Sequence, residues 1–165
     1  MFFRATTLFE EVFHNDDVIH LLVKDWENGT DNMFGNTTPQ YLYELLNQHN
    51  LNETTMHEYD EDEDEAGRII PIQNSYKATT LIGSILSVPY KEILVGIANY
   101  EQGKEPSIGQ KVYFIDIKKK IMFYMYDDRG CIIFAKEKES LQNLYTKYNG
   151  WLVDYWREYF DKLYK

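Results

Sequence analysis

Apolar residues recur at helical spacing at the start of the chain and then cluster at strand spacing. From about Arg4 to Phe13 they fall on one side of a helix, with Glu10 and Glu11 on the other, which predicts an amphipathic helix. The next stretch, Val18 to Trp26, is rich in Leu and β-branched residues at successive positions. This pattern predicts a strand that lies inside the sheet and is buried on both faces.

Four further helices are predicted from start signals and apolar stripes. One begins at Thr38-Pro39, with proline at its first position, and its stripe runs to His49. Another follows Pro89 and ends near Glu101. The last two run from Leu141 to Tyr148 and from Trp151 to the end of the chain.

Strand patterns fill the centre of the chain. Residues 68–75 contain Pro71, which is typical of an edge strand, and residues 79–86 predict a further short strand. Three β-rich runs separated by turns predict an antiparallel meander: Val112 to Ile117, Ile121 to Tyr126 and Cys131 to Ala135. The fold class predicted is α+β. Residues 1–165 form a single domain, with an antiparallel or mixed sheet of about four to six strands and helices packed on it.

The composition supports a folded domain. The 165 residues are 44% hydrophobic and include 14 Tyr, 9 Phe and 3 Trp, which is ample material for a core. Cys131 is the only cysteine, so an internal disulfide and a cysteine-rich zinc site are excluded. With no apolar run near the ~20 residues of a membrane span and no secretion signal, we expect a cytoplasmic protein without membrane contact.

Negative charge is concentrated in one part of the sequence. The net charge is −10, and six acids form the uninterrupted run from Asp60 to Glu65. Periodicity is lost over residues 50–67, which predicts a flexible acidic loop. Because nucleic acids attract clusters of Lys and Arg, direct binding to nucleic acid is disfavoured.

Four segments carry a family resemblance. They are residues 4–13 (RATTLFEEVF), 112–117 (VYFIDI), 126–130 (YDDRG) and 144–155 (LYTKYNGWLVDY). In these segments the chain resembles a bacterial family of unknown function, numbered 3885. The family pattern has an acid where this chain has Trp156, so a carboxylate pair is not complete there. The resemblance implies a small accessory protein encoded near toxins of Gram-positive bacteria, with an immunity or partner-binding role.

Two interpretations fit Asp127, Asp128 and Arg129. Neighbouring carboxylates and an arginine could serve metal-assisted or acid–base chemistry. The same residues followed by Gly130 suit a tight turn, with Asp127 binding the backbone two residues on and Gly130 taking a positive φ. In the second case we expect Arg129 to pair with Asp154 of the last helix as a structural tie.

Other candidate chemistry is weak. The four histidines show no pair at the spacing of one helical turn, and Cys131 has no defined histidine partner. Cys131 is therefore predicted to be an inert, buried thiol, and no metal or cofactor is expected.

The sequence favours a non-enzymatic, cytoplasmic binding protein of the immunity type. The expected partner is a protein, a basic toxin domain that the acidic segment would occlude, with aromatic residues such as Tyr59, Tyr76 and Trp26 as anchors. The expected contact residues are Tyr59, Asp60, Glu61, Asp62, Glu63, Asp64 and Glu65. The alternatives are an enzyme that uses the Asp-Asp-Arg group and a regulatory or structural interaction domain.

Overall fold

The protein is built on a six-stranded antiparallel sheet. The structure, a computed structural model, describes residues 2–26, 38–63 and 67–165. Its strands lie in the order β2-β3-β1-β4-β5-β6, and every neighbouring pair is antiparallel. The predicted α+β class and the C-terminal meander are confirmed. The strands are β1 (Val18–Trp26), β2 (Asn52–Glu63), β3 (Ile69–Ser84), β4 (Lys111–Asp116), β5 (Ile121–Met125) and β6 (Cys131–Ala135).

The helices lie at both ends of the chain and between the strands. Those predicted at the N-terminus and after Pro89 are confirmed. The helix predicted after Thr38-Pro39 is shorter than its apolar stripe. It begins at Tyr41 and ends at Leu45. The helices are α1 (Phe2–Val12), α2 (Tyr41–Leu45), α3 (Tyr90–Glu101), α4 (Gln142–Tyr148) and α5 (Asp154–Tyr164). None of these helices is both long and apolar enough to cross a membrane.

Phe9 of α1 lies at the centre of the core. Its ring stacks on Tyr90 of α3 at 4.6 Å and meets the edges of Phe114 and Phe123 at 4.8 and 5.1 Å between ring centroids. Such offset and edge contacts are the favoured arrangements of aromatic rings. Phe9 therefore joins two helices to two neighbouring strands of the meander.

The core occupies one face of the sheet. On β1 the side chains of Ile19, Leu21 and Val23 are buried, whereas those of the residues between them are partly exposed. The prediction that this strand is buried on both faces is therefore wrong, although its place inside the sheet is confirmed. We call the other side the second face. It carries His20, Leu22, Lys24, Tyr113, Ile115, Met122, Tyr124, Ile132 and Phe134.

The acidic segment is a strand rather than a flexible loop over most of its length. Residues 52–63 form β2, which pairs with β3 from Asn52↔Thr80 to Glu63↔Ile69. Successive side chains point to opposite sides of a strand, which separates neighbouring carboxylates and keeps them in solvent. Backbone pairing to β3 outweighs their repulsion, so the predicted loop over residues 50–67 is corrected.

The two strands predicted after the acidic run are one long strand. β3 spans Ile69–Ser84, and it lies between β2 and β1 rather than at an edge. Pro71 is nevertheless accommodated, because β1 pairs only with residues 76–84 of β3. At Pro71 the described strands give β3 a neighbour on one side only, so a missing N–H does not interrupt two described ladders.

Candidate partner-binding surface

The β2–β3 hairpin extends beyond the other described strands of the sheet. Residues 57–63 of β2 and 69–75 of β3 pair with each other and lie past the last residue of β3 that pairs with β1. We call these two paired segments the acidic arm. At ~3.3 Å per residue, seven paired residues reach roughly 23 Å from the sheet.

Acidic side chains line the β2 side of the arm. Asp60 and Glu61 are exposed, and none of the described cations forms an ion pair with either. The Oδ1 of Asp60 accepts the backbone N–H of Glu61 at 2.9 Å. The side chain of Glu63 and the whole of Asp64 and Glu65 lie outside the described residues. The sequence-predicted contact residues that are described therefore lie together on one strand.

Apolar side chains line the β3 side of the arm. Ile69 is 72% exposed and Ile70 is 41% exposed. The register places Ile70 opposite Asp62 and Ile72 opposite Asp60, while Ile69 lies opposite Glu63. Because side chains alternate between faces, Asp60 and Asp62 lie beside Ile70 and Ile72 on one face of the arm, and Glu61 lies on the other face with Ile69. The local sequence hides this arrangement, which appears only when the two strands are paired.

Of the three predicted aromatic anchors, Tyr59 alone has a described and exposed side chain. It is 75% exposed on the acidic arm. Tyr76 is only 8% exposed, so the prediction that it contacts a partner is not supported by its position. The side chain of Trp26 lies outside the described residues.

Tyr76 instead helps to fix the base of the arm on the second face. The ammonium of Lys24 lies 4.2 Å from the centre of its ring, and its hydroxyl is 3.7 Å from the sulfur of Met56. Lys24 also forms an ion pair with Glu58, across β3 from β1 to β2. These contacts join the first residues of the arm to the central strand. The arm is therefore anchored where it leaves the sheet.

The Asp-Asp-Arg-Gly segment is a turn closed by Asp127. This buried carboxylate accepts the backbone N–H groups of Arg129 at 2.7 Å and Gly130 at 3.2 Å through Oδ1. Its Oδ2 accepts Nε of Arg129 at 2.7 Å. The partly exposed Asp128 accepts a hydrogen bond from the side chain of Gln102 at 3.1 Å. The turn interpretation thus accounts for Asp127, whereas Asp128 contacts a residue outside the turn.

Two details of the turn differ from expectation. Gly130 does not have a positive φ. A Cβ at this position would lie 2.1 Å from the hydroxyl of Tyr126, so a larger residue here would have to displace that exposed ring. Arg129 pairs with Asp127 within the turn, whereas Asp154 pairs with Arg157 three residues further along α5. The predicted tie between Arg129 and Asp154 is therefore wrong, because each finds a partner in its own local segment.

The described residues offer little for metal or thiol chemistry. Over ranges 2–26, 38–63 and 67–165 no three His, Cys, Asp or Glu side chains are grouped to hold a metal ion. Burial raises the pKa of Cys131 to about 11, which keeps the thiol protonated and unreactive at neutral pH. Two surface depressions lie along α5 and at the start of α3, and neither is lined by a residue of the Asp127 turn.

The second face carries an aromatic and apolar surface that was not predicted. Tyr113 and Tyr124 stack across β4 and β5 at 4.6 Å, and burial raises the pKa of both hydroxyls. Ile132 and Phe134 on β6 are 50% and 60% exposed. The available signal was the uncharged sequence of β5 (IMFYM) and β6 (CIIFA), which places apolar or aromatic residues on both faces of these strands.

The comparisons with known proteins identify relatives without an assigned activity. The chain is similar to the uncharacterized protein YnaE of Bacillus subtilis (strain 168), with 34% identity over 70 residues. That match covers 39% of this chain and about a third, 33%, of YnaE. No solved structure matches the chain. Residues 1–156 match the family model described as Domain of unknown function (DUF3885), and the chain therefore belongs to this family.

Proposed function

We propose that this protein is a non-enzymatic binding protein that neutralises a basic protein partner by covering it. The observation that carries the proposal is the acidic arm, a paired hairpin that presents acids and isoleucines together beyond the sheet. The partner is proposed to be a toxin domain, and binding to take place in the cytoplasm. The immunity role rests on the family resemblance.

The charges of the arm suit long-range attraction to a basic surface. Asp60 and Glu61 are exposed and have no ion pair with any described cation, so their field is not cancelled locally. Exposed surface charges accelerate encounter with an oppositely charged protein. The acceleration falls with added salt, because ions screen the charges over a Debye length of about 8 Å at physiological ionic strength. The arm would therefore select a basic partner and speed its association.

Apolar groups on the arm supply the contacts that charges alone do not. Tyr59 and Ile69 are each more than two-thirds exposed, and burial of such side chains contributes most of the affinity at protein interfaces. Their position beside the acids gives one continuous contact strip. The partner surface expected is an apolar groove bordered by Lys or Arg.

The bonds of the Asp127 turn favour this proposal over the enzymatic alternative. A general base or metal ligand needs an oxygen directed at a substrate or ion. Both oxygens of Asp127 accept bonds from Arg129, and one also accepts the N–H of Gly130. A regulatory or structural interaction domain would use the same arm, and it differs only in whether the partner is a toxin.

Co-expression with the basic protein encoded beside the gene tests the proposal. We expect the two chains to co-purify and the cells to grow, whereas the partner alone arrests growth. The double variant Asp60→Asn/Glu61→Gln should slow association about tenfold at low salt and flatten its salt dependence, since two steering charges are removed.

The matched control removes the same charges elsewhere. Asp16→Asn/Glu139→Gln changes one exposed Asp and one exposed Glu outside the arm, and it should leave association nearly unchanged. If the neighbouring protein neither binds this chain nor harms cells without it, the toxin-neutralising proposal fails. Equal effects of the two double variants would remove the acidic arm from the interface.

A further inference from the structure

The two edges of the sheet differ in charge. The outer edge at β2 carries acids at Glu53, Glu58 and at each position from 60 to 63, and charged side chains protect an edge from pairing with other chains. The opposite edge, β6, has the sequence CIIFA without charge or proline. Among the described strands, only β5 pairs with β6. One edge is therefore protected and the other is not.

The ladder with β5 shows which backbone groups of β6 point outward. Lys136 N–H donates to Lys120 O at 3.0 Å and Tyr126 N–H donates to Gly130 O at 3.3 Å, in the same register as the strand pairs. The backbone N–H and C=O groups of the even-numbered residues of β6 therefore point toward β5. The N–H and C=O groups of Cys131, Ile133 and Ala135 face away from it. These outward groups can accept a further strand.

We propose that β6 pairs with β6 of a second copy of this chain, antiparallel about a two-fold axis at Ile133. In a symmetric antiparallel pair with hydrogen bonds at its centre, the residue on the axis must have its backbone N–H and C=O directed at the partner strand. Ile133 is the middle one of the three residues of β6 whose backbone groups point outward. Cys131 then lies opposite Ala135 of the second copy. This register pairs the whole strand and forms about six backbone hydrogen bonds.

The same register buries exposed apolar side chains. It places Ile132 of each copy opposite Phe134 of the other on the second face. Residues in such non-hydrogen-bonded pairs approach most closely, at Cα separations of about 4.5 Å. Ile132 and Phe134 are 50% and 60% exposed in one copy. Their exposure on an uncharged edge is accounted for by contact with a second copy.

Charges at the two ends of the strand are complementary under the two-fold axis. Arg129 precedes β6 and Glu137 follows it, each four residues from Ile133, so the axis brings Arg129 of one copy near Glu137 of the other. The side chain of Arg129 is 76% exposed although its guanidinium pairs with Asp127. A different partner strand would lack this self-complementary order, which favours a second copy.

The interface is small, and the dimer should be weak. A five-residue strand pair with four apolar side chains buries less than the ~1,000 Å² expected of a stable complex. We therefore expect rapid exchange between monomer and dimer at protein concentrations from about 10 µM to about 1 mM. Sedimentation of the full chain over this range should show a rise in average mass toward twice that of one chain.

Two variants of the full chain test the register. Ile132→Glu and Phe134→Lys each place a charge against an apolar residue across the axis, so either variant alone should remain monomeric at about 1 mM. Mixed in equal amounts, they should dimerise, because the introduced carboxylate would face the introduced ammonium in one cross-strand pair while Phe134 faces Ile132 in the other. Both side chains lie on the second face, so folding should be preserved, which circular dichroism checks.

Ile82→Lys is the matched control. Ile82 is 65% exposed on the same face but belongs to β3, so this variant should dimerise as the unchanged protein does. A monomer at every concentration overturns the proposal and leaves the edge to a strand of a different protein. Dimers that persist in both single variants, or variants that fail to dimerise when mixed, overturn this register.

Discussion

Lys119 and Asp17 form an ion pair between parts of the chain that are 102 residues apart. Lys119 lies in the turn between β4 and β5, and Asp17 lies between α1 and β1. The Lys119 ammonium also donates to the carbonyl of Val12, the last residue of α1, at 3.3 Å. One side chain thus ties the end of the first helix to the turn of the meander.

Lys119→Met should destabilise the fold. Asp17 is only 11% exposed at its side chain, so loss of the ammonium leaves a largely buried carboxylate without its cation and the Val12 carbonyl without a donor. We expect the free energy of unfolding to fall by about 1–3 kcal/mol. Urea denaturation measures this change in the free energy of unfolding. Lys118→Met, in the same turn at an exposed position, is the control and should have little effect.

The pH dependence of the Lys119 effect has a definite sign. Burial alone would raise the pKa of Asp17, but the amide of His14 and the ammonium of Lys119 outweigh it and lower the pKa below its ordinary value of 3.8. A carboxyl whose pKa is lowered by folding contributes stability above its unfolded pKa and loses it as pH falls through the folded pKa. The difference between the unchanged protein and Lys119→Met should therefore be constant near pH 6 and shrink below about pH 4. A difference that grew on acidification would contradict the ion pair.

Asp127 should matter more to the turn than Arg129. Asp127→Ala removes the acceptor of two backbone amides, and we expect a loss of about 1–2 kcal/mol in the free energy of unfolding. Asp127→Asn retains an acceptor oxygen and should keep most of the stability that Asp127→Ala loses. Arg129→Ala removes the donor to Oδ2 of the buried Asp127 but leaves both backbone amides on Oδ1, so it should cost less stability than Asp127→Ala.

Thermal unfolding of these three variants measures the order of their losses in Tm. Asp128→Ala, at the neighbouring and partly exposed position, is the control. The tie first predicted between Arg129 and Asp154 would have made Arg129→Ala destabilise the fold through loss of a contact with α5. Such an effect, with Asp127→Ala neutral, would show that the turn is stabilised from outside rather than by its own carboxylate.

The elements that could be predicted are those whose signals are local. The meander follows from three β-rich runs and the turn residues between them, and α3 follows from Pro89 and its apolar stripe. β2 was missed although its hairpin with β3 is local, because the acids over residues 60–63 dominate its own pattern and the backbone pairing that outweighs their repulsion involves a second strand. The acidic residues were identified as a contact surface, but Ile69 and Ile70 beside them were not, since only strand register brings them together.

The close packing of Gly96 against Ile108 predicts an unusual sign for a glycine substitution in a helix. Gly96 lies inside α3, where replacement by alanine ordinarily adds stability of about 1 kcal/mol. Here a Cβ would lie 2.6 Å from Cδ1 and 2.7 Å from Cγ1 of Ile108. Ile108 is buried and also donates its backbone N–H to the carbonyl of Gly96 at 2.9 Å, so it cannot move aside freely.

Gly96→Ala should therefore destabilise the protein by about 1–3 kcal/mol, the usual cost of overpacking a core. Ile108→Val shortens the side chain that clashes, so the double variant Gly96→Ala/Ile108→Val should lose less than the sum of its single changes. Gly150→Ala is the control, because a Cβ there meets no atom within 4 Å. Urea denaturation of these variants and of the unchanged protein measures the loss in the free energy of unfolding for each. Additive losses in the double variant would mean that Gly96 is constrained by something other than the side chain of Ile108.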